Sequence, residues 1–126
     1  MFVTVLRTRI GSLAAALVLS SVVGSSGKAQ HPVGLDSLLA VHQDVTRPDS
    51  VRTKALLSYL FERRYGAAPD SLAQAVEQLI PQLRNIGLRR EEASAWNLKG
   101  ISHRELGHWD SAEACYGRSY AIWQQL

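Results

Sequence analysis

The chain has 126 residues, of which 46% are apolar and 20% are charged, and this composition suits one small globular domain. Arg7, Arg9 and Lys28 account for three of its 14 basic residues, which leaves eleven basic against eleven acidic side chains from position 30 onward. Such a balance gives no concentrated basic surface and argues against nucleic-acid binding. The single cysteine, Cys115, excludes an internal disulfide and is expected to be buried.

The segment 1–29 has the order of a secretory signal peptide. Arg7 and Arg9 precede an uncharged apolar run over 10–23, and small residues follow it, which predicts cleavage before Gln30. The run is shorter than the ~20 residues that a membrane-spanning helix requires, so an uncleaved anchor is the weaker alternative. We therefore expect an exported chain, located in the periplasm or cell envelope, with no membrane span in its mature part.

An aspartate-serine pair recurs at positions 36, 49, 70 and 110, and each pair precedes a helical pattern. Aspartate is a favoured N-cap because its carboxylate accepts hydrogen bonds from free amides of the first turn. Glu113 follows Asp110 at the spacing of a capping box. These signals predict helix starts at each of the four pairs.

Apolar residues recur at helical spacing after these starts. The segment 30–48 is expected to form a polar lead with a short helix over about 36–44. Gly66, Gly87 and Gly107 mark the ends of later helices, and Pro81 is expected to kink or divide one of them. No strand pattern competes, so the sequence predicts an all-α chain with longer helices over about 50–65, 71–86, 91–106 and 111–126.

The helix pair expected over 91–126 repeats the pair expected over 49–90. A displacement of 40 positions aligns Asp70 with Asp110 and Val76 with Tyr116. We call this displacement the repeat shift. Repetition of this kind indicates stacked helix pairs. We expect an α-solenoid of two antiparallel helix pairs, over 49–90 and 91–126, preceded by the short helix.

The segment from Ala93 to Leu126 has the length of one tetratricopeptide repeat (TPR) and resembles this family. Lys99 and His103 stand where the family usually has a leucine and an aromatic residue. The segment 49–90 resembles the family more weakly, as a degenerate copy. The positions that carry the resemblance are Trp96, Gly100, Gly107, Trp109, Ala112, Tyr116 and Ile122.

The resemblance implies a right-handed superhelix whose first helices line a concave groove for a protein or peptide partner. It also implies no catalytic activity and no cofactor. Arg64 and Arg104 in this groove would bind carboxylates of an acidic or C-terminal peptide. The alternative is that both arginines are solvated or paired with Glu62, Glu105 or Asp44. The candidate groove residues are Leu57, Phe61, Arg64, Asn97, Ile101 and Arg104.

The histidines of "HRELGH" do not form the pattern of a zinc-binding helix. Such a helix places two histidines four positions apart on one face, whereas His103 and His108 are five apart with Gly107 between them. No phosphate-binding loop or nucleophile motif is present either. The sequence therefore predicts neither a metal site nor an enzyme.

Two further functions compete with peptide binding. The stretches "TRPDSVRTKALLSYL" and "NIGLRREEA" look like the N-terminal sensing region of TPR-bearing signalling proteins, such as bacterial histidine kinases. The chain would then be the extracytoplasmic part of a sensor. Alternatively, Tyr120 and Trp123 would face water and mediate self-association into an envelope assembly.

Overall fold

The computed structural model describes residues 34–126, which form five α-helices packed in sequential antiparallel pairs. The all-α prediction is confirmed for this part of the chain. The predicted signal peptide and the first residues of the polar lead lie outside it. The helices are α1 (Leu35–Gln43), α2 (Asp49–Glu62), α3 (Pro69–Ile86), α4 (Arg89–Glu105) and α5 (Trp109–Gln125).

The helix starts differ from the predicted aspartate caps. Asp49 is the first residue of α2, and Asp110 is the second residue of α5, because each helix begins slightly earlier than its pattern suggested. The N-cap positions of these helices are Pro48 and His108, and neither makes a side-chain capping bond. The predicted capping box at Asp110 is therefore wrong, and the carboxylates instead lie at the positive end of the helix dipole.

The ends of α3 and α4 follow the glycine prediction. Gly87 has φ +87° and Gly107 has φ +77°, in the left-handed region where glycine avoids the strain of a Cβ. In both turns an amide bonds to the carbonyl five positions earlier, Leu88 to Leu83 at 2.9 Å and His108 to His103 at 2.8 Å. The same glycine motif thus reverses the chain twice, once after α3 and once after α4.

The turn between α2 and α3 is built differently. The amides of Gly66 and Ala67 both bond to the Arg63 carbonyl, and no left-handed residue is present in this turn. The repeat shift aligns Ala67 with Gly107, so the sequence repeat does not extend to the conformation of the turn. Pro81 also differs from expectation in part, because α3 continues through it and is not divided.

The core lies between α2, α3 and α4. Val76, Leu79 and Leu83 of α3 are fully buried, together with Leu98 of α4. The amphipathic stripe of α3 faces this core, as its sequence pattern predicts. In contrast, α1 contributes no buried residue and packs on α2 alone. Within residues 34–126, no helix is long and apolar enough to cross a membrane.

Candidate partner-binding surface

Helix α4 is the central element, because it contacts α2, α3 and α5. Its buried side chains surround most of the helix and leave one strip less covered. Asn97 and Ile101 lie partly exposed on this strip, and Arg104 is exposed at its end. The predicted groove residues of α4 therefore share a face that is open to a partner.

The predicted groove residues of α2 are more enclosed. Leu57 is only 6% exposed and belongs to the core, so its assignment to the groove, which rested on the repeat shift, is wrong. Phe61 is half-buried and packs against the same core. Sequence reasoning missed Lys54, whose ammonium lies 3.3 Å from the Glu91 carboxylate and joins α2 to α4. The repeat shift aligns Lys54 with Ser94, so no repeat signal pointed to this pair.

Arg64 is held in place by its own helix end. Its guanidinium lies 5.4 Å from the Phe61 ring centroid and 4.6 Å from that of Tyr65, and Nη1 donates to the Phe61 carbonyl at 2.6 Å. Cation–π contacts of this kind orient a guanidinium without using its other N–H donors.

Arg104 makes a different set of contacts. Its Nη2 donates to the Glu105 carboxylate at 3.2 Å, and both side chains are about half exposed. An exposed pair of this kind contributes roughly 0–1 kcal/mol to stability, so it opposes a competing ligand weakly. Arg64 and Arg104 therefore have separate partners, and within residues 34–126 no hydrogen bond or ion pair joins one to the other.

Gly100 of α4 and Tyr116 of α5 form a close contact between these two helices. Gly100 is buried, and a Cβ added to it would lie 2.6 Å from Cε1 of Tyr116. Ala112 and Ile122 are buried, whereas Trp109 is exposed at the start of α5. A small residue therefore faces a large one at the crossing, as the sequence comparison predicts.

A cavity of about 380 Å³ opens between α3 and α4, and sequence reasoning missed it. Lys99 lines this cavity, where its ammonium forms an ion pair with the Glu77 carboxylate and lies 5.0 Å from the Trp96 ring centroid. His103 also lines the cavity. Lys99 and His103, which interrupt the sequence resemblance, therefore line the same cavity. The unusual residue types at these two positions were the only sequence signal for the cavity. The cavity itself forms only because α3 packs beside α4.

His103 lies close to the Lys99 ammonium and to the His108 ring. Burial, the Lys99 ammonium and the His108 ring together lower the pKa of His103 below 6.5, and the Glu77 carboxylate opposes them. The ring centroids of His103 and His108 lie 5.7 Å apart because the glycine turn brings them together. Among residues 34–126, no three histidine, cysteine, aspartate or glutamate side chains are grouped to hold a metal.

Cys115 is buried in α5, as expected from its residue type. Burial raises the pKa of its thiol above 9.0, so the neutral form is favoured. A thiol of this kind is a poor nucleophile, because the thiolate is the reactive species.

Glu92 is the one charged side chain of the buried set in the described residues. Its carboxylate accepts from Arg84 Nε at 3.0 Å and from Arg89 Nη1 at 2.7 Å. Arg89 also donates from Nη2 to the Gln125 amide oxygen at 2.9 Å. One carboxylate and its arginines therefore join the end of α3, the start of α4 and the end of α5.

Comparison with models of known protein families, with curated proteins and with solved structures gives no match.

Proposed function

We propose that the chain is an exported binding module of the tetratricopeptide type, which holds a protein or peptide segment along the inner faces of α2 and α4. It has no catalytic role of its own in this proposal. The observation that carries the proposal is the contact between α2 and α4, two helices separated in sequence by α3. This contact supports the proposal, because exposed side chains of two adjoining helices can line one surface.

The chemistry of this surface favours an extended, acidic segment. Asn97 offers an amide that can bond to a peptide backbone, and Ile101 offers an apolar contact beside it. Arg64 retains free N–H donors although one binds the Phe61 carbonyl. Arg104 adds a second guanidinium whose present partner, Glu105, is weakly held. Carboxylates are the groups that such guanidinium forks bind best.

A peptide-binding assay tests this proposal. The purified chain is exposed to a library of acidic peptides with free C-terminal carboxylates, and bound peptides are measured by fluorescence polarisation. The double variant Arg64→Glu with Arg104→Glu should lose binding, because it replaces both guanidinium groups with repelling carboxylates. Its matched control is Arg63→Glu, which changes the neighbouring exposed arginine beside Tyr59.

Two results would contradict the proposal. One is retention of every captured peptide by the double variant at the strength of the unaltered chain. The other is the absence of any captured peptide in the library. Equal losses in the double variant and in Arg63→Glu would show a general charge effect and would remove Arg64 and Arg104 from the groove.

A further inference from the structure

Helix α5 carries an exposed aromatic face. Tyr120 and Trp123 are 64% and 46% exposed, and Trp109 is exposed at the start of the helix. These rings share a face, because Tyr120 and Trp123 follow Trp109 by eleven and fourteen positions, close to whole helical turns. A cluster of large aromatic rings in water is typical of an interaction surface.

The same positions are covered on α3. The repeat shift aligns Tyr120 with Ile80 and Trp123 with Leu83, which are 3% and 0% exposed. Both belong to the cluster that includes Ala95 and Leu98 of α4. The stripe that α3 buries against its neighbouring helices is therefore open on α5, and a helix would cover it.

The open stripe lies on one flank of α5. On the other flank, Arg118 leans back over α4, with its guanidinium 4.7 Å from the Trp96 ring centroid. Arg118 is two positions from Tyr120 and so projects about 160° away from it. The stripe therefore faces away from the Trp96 side of the molecule.

The exposed charges near the two ends of α5 differ. Asp110 and Glu113 are exposed near the start of α5. Arg90 is exposed at the start of α4, which lies beside the end of α5, as the bond from Arg89 to Gln125 shows. One end is therefore acidic and the other end basic.

We infer that two copies of this chain pair through the aromatic faces of α5, with the two helices antiparallel about a two-fold axis. A two-fold axis brings the acidic end of each copy to the basic end of the other, so Asp110 and Glu113 meet Arg90 of the second copy. The described residues carry eleven basic and eleven acidic side chains, so no net charge opposes the pairing.

The exposed parts of Trp109, Tyr120 and Trp123 amount to roughly 350 Å² per copy. This is a little under half of the ~800 Å² that each partner of a stable interface buries, and the flanking polar groups would add to it. The pairing goes beyond the proposed peptide binding and does not depend on it, since the interface requires none of the six groove residues.

Size-exclusion chromatography with light scattering tests the pairing on the purified chain over a range of concentrations. The unaltered chain should elute as a dimer that dissociates on dilution. Trp123→Glu should raise the dissociation constant by about tenfold or more, because it buries a carboxylate without a partner. The matched control Ala114→Glu adds the same charge to an exposed position on another side of α5 and should leave the dimer intact. Circular dichroism checks that both variants are folded.

A charge exchange tests the antiparallel arrangement. Arg90→Glu should weaken the dimer, because three carboxylates then meet at each end. Adding Glu113→Arg to the same chain should restore affinity toward that of the unaltered protein. A chain that stays monomeric at every concentration would overturn the pairing, and so would a dimer that Trp123→Glu leaves unchanged. A dimer insensitive to Arg90→Glu, or not restored by the second change, would overturn the two-fold arrangement.

Discussion

Gly100 lies against the ring of Tyr116, and the absence of a side chain there allows α4 and α5 to approach closely. We predict that Gly100→Ala lowers the free energy of unfolding. Alanine improves helix propensity by about 1 kcal/mol, but overpacking a crowded site costs about 1–3 kcal/mol, so destabilisation should dominate. Urea unfolding followed by circular dichroism measures the change.

Gly117 provides the control for this prediction. It lies in α5, and a Cβ added to it would meet no atom within 4 Å, so Gly117→Ala should stabilise the chain by about 0.5–1 kcal/mol. The combination of Gly100→Ala with Tyr116→Leu should recover part of the loss, because the smaller side chain leaves room. Stabilisation by Gly100→Ala similar to that of Gly117→Ala would contradict the close contact.

The lowered pKa of His103 predicts that the free energy of unfolding depends on pH. Because burial, Lys99 and His108 lower its pKa in the folded chain, the unfolded chain binds a proton more readily. The stabilisation is present above pH 6.5, the ordinary histidine value, and is lost as the pH falls from there toward the lowered pKa. The free energy of unfolding, measured above and below pH 6.5, should change less with pH in His103→Gln than in the unaltered chain. The same slope in both proteins would show that His103 does not contribute.

At the scale of the elements, Glu92 holds three helices together. Glu92→Gln should lower the free energy of unfolding by about 2 kcal/mol, because Arg84 and Arg89 lose their carboxylate. This is below the ~3–5 kcal/mol of a fully buried pair, since both guanidinium groups reach solvent. Glu91→Gln is the control, because its pair with Lys54 is more exposed and should contribute under ~1 kcal/mol. Equal effects of the two changes, measured by urea unfolding, would contradict the special role of Glu92.

The elements also show why some local signals were read correctly and others were not. Gly87 and Gly107 end their helices because a left-handed residue is needed at both positions, and glycine meets this need whatever packs nearby. The aspartates failed as caps because α2 and α5 each gain residues before the predicted start. Helix starts fray and shift by a residue or two at little cost, so a capping residue locates a start only approximately.

For the whole molecule, the uneven distribution of the core predicts uneven local stability. α1 has no buried residue and contacts α2 alone, whereas α4 contacts three helices. Amide hydrogen exchange should therefore be faster in α1 than in α4, because few buried apolar contacts oppose its opening. Mass spectrometry after exchange in native buffer measures this difference. Equal protection of α1 and α4 would show that the five helices open as one unit.

The candidate surface could be predicted only in part. The resemblance assigned Asn97, Ile101 and Arg104 to the groove, helical spacing placed them on one face, and all three lie on the less covered strip of α4. Leu57 was assigned to the same surface by the repeat shift, yet it is buried. Spacing tells which residues share a face of one helix, but the neighbouring helices decide whether that face meets solvent or core.

The sequence by itself determined the helical class of residues 34–126, the approximate limits of each helix and the glycine turns after α3 and α4. These features depend on spacing and backbone conformation within a few residues of each other. Only the tertiary structure decided that Glu92 joins two arginines, that Lys99 and His103 line one cavity, and that Leu57 is buried in the core. These features depend on contacts between residues of different helices, which arise only when the helices pack.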